Sequence, residues 1–341
     1  MAFPTRNSVI WGEQESTYGA IPSPPPGEAD AILCVGEPVL QPQLELLASE
    51  ERPGTLGQHQ SHGGKQWSKL TFGTLLRSSG SAHATGGTEP RLGKWLEACG
   101  FTKSAGGADP YGYFNYVLSS DWSAHKSMYV YGWYGGDEGG GSDTVFYKLA
   151  GARGTFSFSS TAGEIPKFDF VFNGRYTATA LDTWPSPVGT FETTTPMVAL
   201  NVEWGGLDGT MLANTAFLEF NFDMGSEPAM SDSAGMATGV DKAYITKWEV
   251  KGNLILQANP TMIVTLETEL KARTGKALQV NFQQSDDINE HFIIKFANLM
   301  WENPYELGDK DGIRVVNMPF TAFESSGDDT IELQFGDSTM H

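Results

Sequence analysis

The side chains that could do chemistry are scattered along the chain. Histidines stand at His59, His62, His83, His125, His291 and His341. His59 and His62 share the stretch HQSH, but a zinc site needs a third ligand and none lies near in sequence, so a solvated loop is the reading. The stretch DKDG (309–312) begins like a calcium loop and lacks the closing glutamate, so it reads as a tight turn. There is no G-x-S-x-G elbow, P-loop or HExxH motif. The glycines of GGDEGGGSD (135–143) do not lie between a strand and a helix and read as a hairpin tip. With 41 acidic residues, a glycosidase-type pair of carboxylates stays open. The nine tryptophans leave a sugar platform open, although their scatter reads first as core or interface anchors. No catalytic group, metal or cofactor is expected.

The elements that would position such groups are mostly strands. A chain of 341 residues suggests about two domains. Forty glycines and 18 prolines favour many short strands joined by turns. The net charge of −19 argues against a nucleic-acid reader but suits a surface that nucleic acid slides past. Two cysteines, Cys34 and Cys99, suggest folding in a reducing cytoplasm. MAFPTRNSVIWGEQ lacks the apolar core of a signal peptide, and no apolar run approaches the ~20 residues of a membrane span.

Residues 1–33 read as an irregular N-terminal arm with Trp11 and Tyr18 as anchors. Strands are expected near 36–48, 65–78, 111–120, 126–135, 144–160 and 166–178. A polar loop covers 49–64. In TEPRLGKWLEACGF the residues Leu92, Trp95, Leu96 and Cys99 fall at helical spacing, and Gly100 stands at a C-terminal cap. The Pro- and Thr-rich LDTWPSPVGTFETTTP (181–196) reads as a linker between a first β domain (34–180) and a second (197–341). In the second half, strands are expected near 197–204, 215–223, 242–258, 277–284, 290–301, 313–323 and 328–336. A small-residue loop is expected over 224–239, and 261–273 is compatible with a helix. Gly151-Ala152-Arg153 and Gly312-Ile313-Arg314 each precede an alternating strand, a turn and a second alternating strand, so the element order reads as an internal duplication.

Three stretches carry a resemblance. They are EQESTYGAIP, then ERPGTLGQHQSHGGKQWSKLTF running into RLGKWLEACGF, and KLAGARGTFSFSSTAGEIPKFDFVFNGRY. With them the chain resembles the major tail tube proteins of long-tailed, siphovirus-type bacteriophages. The resemblance implies two tandem tube-type β-barrel or β-sandwich units, each with a flanking helix. Copies would form rings of three chains, alternatively six, stacked into a hollow conduit for DNA ejection. Its implied partners are further copies, a tape measure protein, and tail terminator and baseplate proteins. Double-stranded DNA would pass through without specific binding, and no membrane is involved. The implied location is the virion tail, with assembly in the host cytoplasm. The implied contacts between rings are Glu50, Arg52, His59 and His62 in one loop, and Met224, Glu227, Met230 and Asp232 in the other. Trp11 and Tyr18 would clamp a neighbour. Arg153, Phe156, Phe158, Phe168, Phe170, Phe172 and Arg314 would build the tube sheet. A β-rich carbohydrate-binding protein or hydrolase, and the tube of a contractile or type VI-like system, remain as alternatives.

Overall fold

The structure is a computed structural model describing residues 8–49, 61–77, 89–106, 112–135, 144–205, 216–226, 228–273, 275–283, 291–302 and 306–336. It is mainly β. In the first half the strands are β1 (Ser8–Gln14), β2 (Ala31–Ile32), β3 (Val35–Leu47), β4 (His62–Leu75), β5 (Phe101–Gly106), β6 (Tyr113–Leu118), β7 (Met128–Tyr134), β8 (Thr144–Thr161), β9 (Lys167–Tyr176) and β10 (Ala180–Asp182). The second half has β11 (Asn201–Gly205), β12 (Phe217–Asp223), β13 (Ala229–Asp232), β14 (Val240–Tyr244), β15 (Lys251–Gln257), β16 (Lys276–Gln283), β17 (His291–Trp301), β18 (Glu306–Lys310), β19 (Ile313–Phe323) and β20 (Glu332–Phe335). The helices are α1 (Leu92–Glu97) and α2 (Pro260–Ala272).

One large antiparallel sheet links both halves, and β8 is its spine. Its first part pairs with β7 and β10, its last part with β12, and β9 lies along it as the other arm of a hairpin. From β9 the sheet continues through β4 to β3, and from β12 through β15, β19 and β17 to β16 and β11. The alternating FSFSS and KFDFVF runs place Phe156, Phe158, Phe168, Phe170 and Phe172 on one face, where each is at most 1% exposed. Phe158 stands at the centre. Its ring centroid lies 4.9 Å from Phe168, 5.6 Å from Phe222, 5.6 Å from Phe282 and 6.0 Å from Phe292. A single core therefore runs from the Phe72–Trp95–Phe172 group beneath α1 to Phe296 and Phe320 in the second half.

Several expectations are corrected. Residues 8–14 are a strand, not part of an irregular arm: β1 pairs with all of β7, and Val9 and Ile10 are buried. The strand is only seven residues long, and Gly12 interrupts its apolar pattern. The stretch 181–196 lies along the start of the chain: Trp11 Nε1 donates to Val188 O, Thr190 N to Glu28 O, and Arg91 N to Glu192 Oε1. The expected strand 242–258 is two strands, β14 and β15, with residues 245–250 between them. Most consequentially, β19 and β20 do not pair with each other among the described residues. Both pair with β17, β19 at Asn298–Trp301 and β20 at Phe292–Lys295. The turn between them carries Asp328, which accepts from the N–H of Ser120, and it leads the chain along β17 instead of back along β19. The counterpart of the β8–β9 hairpin in the second half is therefore not a hairpin, and Arg314 is exposed where Arg153 is buried. The tight turn expected at DKDG is present: Asp311 and Gly312 have φ of 55° and 80° between β18 and β19, the signature of a two-residue hairpin loop.

Candidate assembly surface

The residues that follow the expected loop 49–64, Lys65 and Gln66, lie against the expected loop 224–239. Strand β4 pairs with β9 only from Trp67 to Leu75, whereas β3 follows β4 as far as the pair Leu47 and His62. The ends of β3 and β4 thus form a two-stranded arm beyond the sheet. Against its root lies a small hairpin. The expected loop 224–239 contains β13, which pairs with β14. Gln66 N donates to Thr238 O at 2.9 Å, and Lys65 Nζ bonds Asp232 Oδ2 at 2.7 Å.

A two-stranded hairpin is marginal by itself, so the small hairpin needs its anchors. Arg175 of β9 donates from Nε to Asp241 O and from Nη2 to Asp241 Oδ1, both at 2.6 Å. Asn173 Nδ2 donates to Pro228 O. Ala243 is held on both sides: its N–H donates to the Tyr18 hydroxyl at 2.6 Å, and its carbonyl accepts from Arg153 Nη1 at 3.1 Å. The Arg153 guanidinium also donates to the carbonyls of His125 and Lys126, and it lies 5.4 Å from the Tyr18 ring. Burial lowers its pKa, yet each of its three nitrogens has an acceptor. Burial likewise pushes the Tyr18 hydroxyl up to about 12, so it acts as a neutral acceptor here.

Behind Tyr18, the Glu15 carboxylate accepts from Gly151 N, Gly19 N and Ser127 Oγ. Gly151 has φ of 62°, and a Cβ there would stand 2.5 Å from the Tyr18 ring. Gly151→Ala is expected to destabilise the protein by about 2 kcal/mol, from left-handed backbone strain and the displaced ring. Urea unfolding measures it.

The arm itself is apolar and exposed. Leu44, Leu46 and Leu47 are 51%, 66% and 50% exposed. Leu44 and Leu47 lean across the ribbon over Gly63 and Gly64, where a Cβ would sit 3.6 Å and 3.2 Å from them. Strand β3 pairs only with β4 among the described residues, and Pro38 and Pro42 stand on it, as edge strands allow.

The remaining candidate residues fall in distinct places. His62 is exposed on the arm, and Met230 and Asp232 are on the bracing hairpin. Met224 is buried in the core. Glu50, Arg52, His59 and Glu227 lie outside the described residues. Trp11 packs on Trp133 at 4.6 Å, and Tyr18 anchors the hairpin, so both side chains hold their own chain. The leucines of the arm, Lys65, Arg175 and Asp241 were missed by sequence reasoning. The run LELLAS in an otherwise polar strand was the one available signal.

A second acidic group lies around α1. Lys94 Nζ bridges Glu13 and Asp30 at 2.5 Å and 3.1 Å, and Gln14 Nε2 donates to Glu97. Glu13 and Asp30 thus share one ammonium. Burial raises the carboxyls of Glu13, Glu15, Glu97 and Glu192 above their ordinary 4.5. For Asp30, burial is outweighed by its interaction with Glu13 and by the hydrogen bonds from Gly27 and Lys94, and its pKa falls below 3.8. A carboxyl with a raised folded pKa contributes stability that is complete below about 4.5 and lost as pH rises through the raised value. Asp30 acts oppositely, but only below its ordinary value. The thermal midpoint is therefore expected to rise as pH falls from 7 towards 5, and Glu97→Gln is expected to flatten that rise in a calorimetric pH series.

Among the described residues, no group of histidine, cysteine and acidic side chains is arranged to hold a metal ion. No described helix is long and apolar enough to cross a membrane. No protein-family model matches this chain, and no curated protein matches it.

Proposed function

We propose that this chain is a structural virion protein that self-assembles into stacked rings forming the tail tube of a long-tailed phage. The observation that carries the proposal is the projecting β3–β4 arm with three exposed leucines, braced at its root by the β13–β14 hairpin. Fully burying a leucine is worth about 1.5–3 kcal/mol, so three half-exposed ones represent several kcal/mol that only a partner can supply. Repetition around a ring multiplies such a contact. The resemblance of the N-terminal, arm and β8–β9 stretches to tail tube proteins points the same way. In this reading the virion tail is the final location and the host cytoplasm the place of assembly. The acidic balance of −19 keeps DNA moving through the lumen. The tandem-unit reading favours three chains per ring; a decorated single unit would need six.

The test is negative-stain microscopy of the concentrated pure protein, with the mass of any ring measured. Rings or hollow tubes are the expected result, and a Leu44→Glu/Leu46→Glu/Leu47→Glu variant is expected to remain dispersed while folding normally. A native chain that stays monomeric at every concentration would sink the proposal.

A further inference from the structure

A pocket of about 320 Å³ opens between the β13–β14 hairpin and the root of the β3–β4 arm. That is small among the roughly 300–1,000 Å³ of sites that take small ligands. Its lining has two sides. Trp67 of β4 is half-buried, and Pro228, Met230 and Val240 join it as the apolar side. Glu45, Lys65 and Asp232 are the polar side at the mouth, and Asn173 of β9, 5% exposed, adds an amide at the floor. The walls are held before anything binds. Asn173 Nδ2 donates to Pro228 O at 3.1 Å, Lys65 Nζ bonds Asp232 Oδ2 at 2.7 Å from one wall to the other, and Arg175 fixes the hairpin through Asp241. A site pre-organised in this way loses little entropy when it takes a ligand.

We propose that this pocket binds a neutral sugar ring. The lining selects the ligand by elimination. Glu45 and Asp232 against Lys65 leave the mouth with a net negative charge, which repels phosphates and other anions. A wholly apolar ligand would take water from the carboxylates, the ammonium and the amide without replacing its hydrogen bonds. A pyranose matches both sides at once. Its C–H face packs on Trp67 and the apolar wall, and its hydroxyls donate to the carboxylates and accept from Lys65 Nζ. Carboxylates suit this role because each offers several acceptor positions to the hydroxyl donors of one ring. The pocket is complete within one chain, so the proposal is independent of the tail-tube reading. It also gives Trp67 a use that the core does not supply: the residue lies on the face of β4 opposite the buried Ser68 and Leu70.

The experiment is saturation-transfer difference NMR on the intact chain, with glucose, galactose, mannose and N-acetylglucosamine each offered alone at millimolar concentration. Whichever sugar gives a signal is then titrated. At least one is expected to bind saturably. Trp67→Ala is expected to weaken that binding about tenfold, by removing the stacking face and its contact area. Trp67→Phe keeps a ring in place and is expected to lose less. Asp232→Ala is expected to weaken binding about threefold, for the hydrogen bonds lost. Asp232 is exposed and its ion pair with Lys65 lies at the surface, so this variant keeps the fold, and circular dichroism checks it. Trp122→Ala, at a tryptophan 62% exposed elsewhere on the chain, is expected to change nothing. Saturable binding of none of the four sugars would overturn the proposal. Binding that Trp67→Phe and Asp232→Ala leave unchanged would put the sugar elsewhere and overturn the site. Choline or glucose 6-phosphate binding more tightly than every neutral sugar would overturn the ligand class. The ring and tube measurements are separate from all of these, so failure here leaves the tail-tube reading standing.

Discussion

Phe158→Ala is expected to lower the stability of the folded chain by about 3–5 kcal/mol. The ring is 1% exposed, and the rings around it come from β9, β12, β16 and β17. Those neighbours belong to both halves, and their backbones are held by separate ladders. They cannot close over the void together, so the cavity contribution stays high. Phe158→Leu retains most of the volume and is expected to cost about 1–1.5 kcal/mol. Urea unfolding followed by fluorescence and by circular dichroism measures both. Coincident transitions are expected, because the ring joins one core and not two. A loss under 1 kcal/mol for the alanine variant would mean that the aromatic cluster is not the joint between the halves.

Arg153→Ala is expected to cost about 3–4 kcal/mol, for a different reason. The side chain is 8% exposed and supplies hydrogen bonds to the carbonyls of His125, Lys126 and Ala243. Truncation leaves buried acceptors without donors and removes the cation beside Tyr18. Arg153→Lys keeps the charge, but one ammonium cannot reproduce a planar fork, so less than half of the loss is expected to be recovered. The β13–β14 hairpin should loosen first, and faster amide exchange at Ala243 than at Phe158 is the readout. Uniform exchange across both sites would show that Arg153 does not pin the hairpin.

The periodic parts of the fold were legible in the sequence. The β8–β9 hairpin follows from strict alternation of phenylalanine with polar residues. Helix α1 follows from Leu92, Trp95 and Leu96, although the structure makes it only six residues long, bounded by Pro90 and by the left-handed Gly100. The N-terminal strand was hidden because Gly12 interrupts it. That glycine is required by the tertiary structure, since a Cβ there would stand 2.4 Å from Trp95. The β13–β14 hairpin was hidden because its residues are small and polar. Its stability comes from Arg153, Arg175 and Tyr18, and Tyr18 lies 225 positions away from the Ala243 it binds. No local window contains that information. The hairpin expected of β19 and β20 is absent for a related reason: alternation specifies that a segment is a strand, not which strand it lies beside.

The length of β8 has a mechanical consequence. Its 18 residues are bonded along both edges, to β9 on one side and to β7 and β12 in succession on the other. Tension applied along its axis loads these ladders in shear, with many hydrogen bonds sharing the force at once. Tension applied across it would peel them one after another. A chain arranged with β8 along the direction of pull therefore behaves as a tendon, stiff in extension while its surface arms stay free to bend.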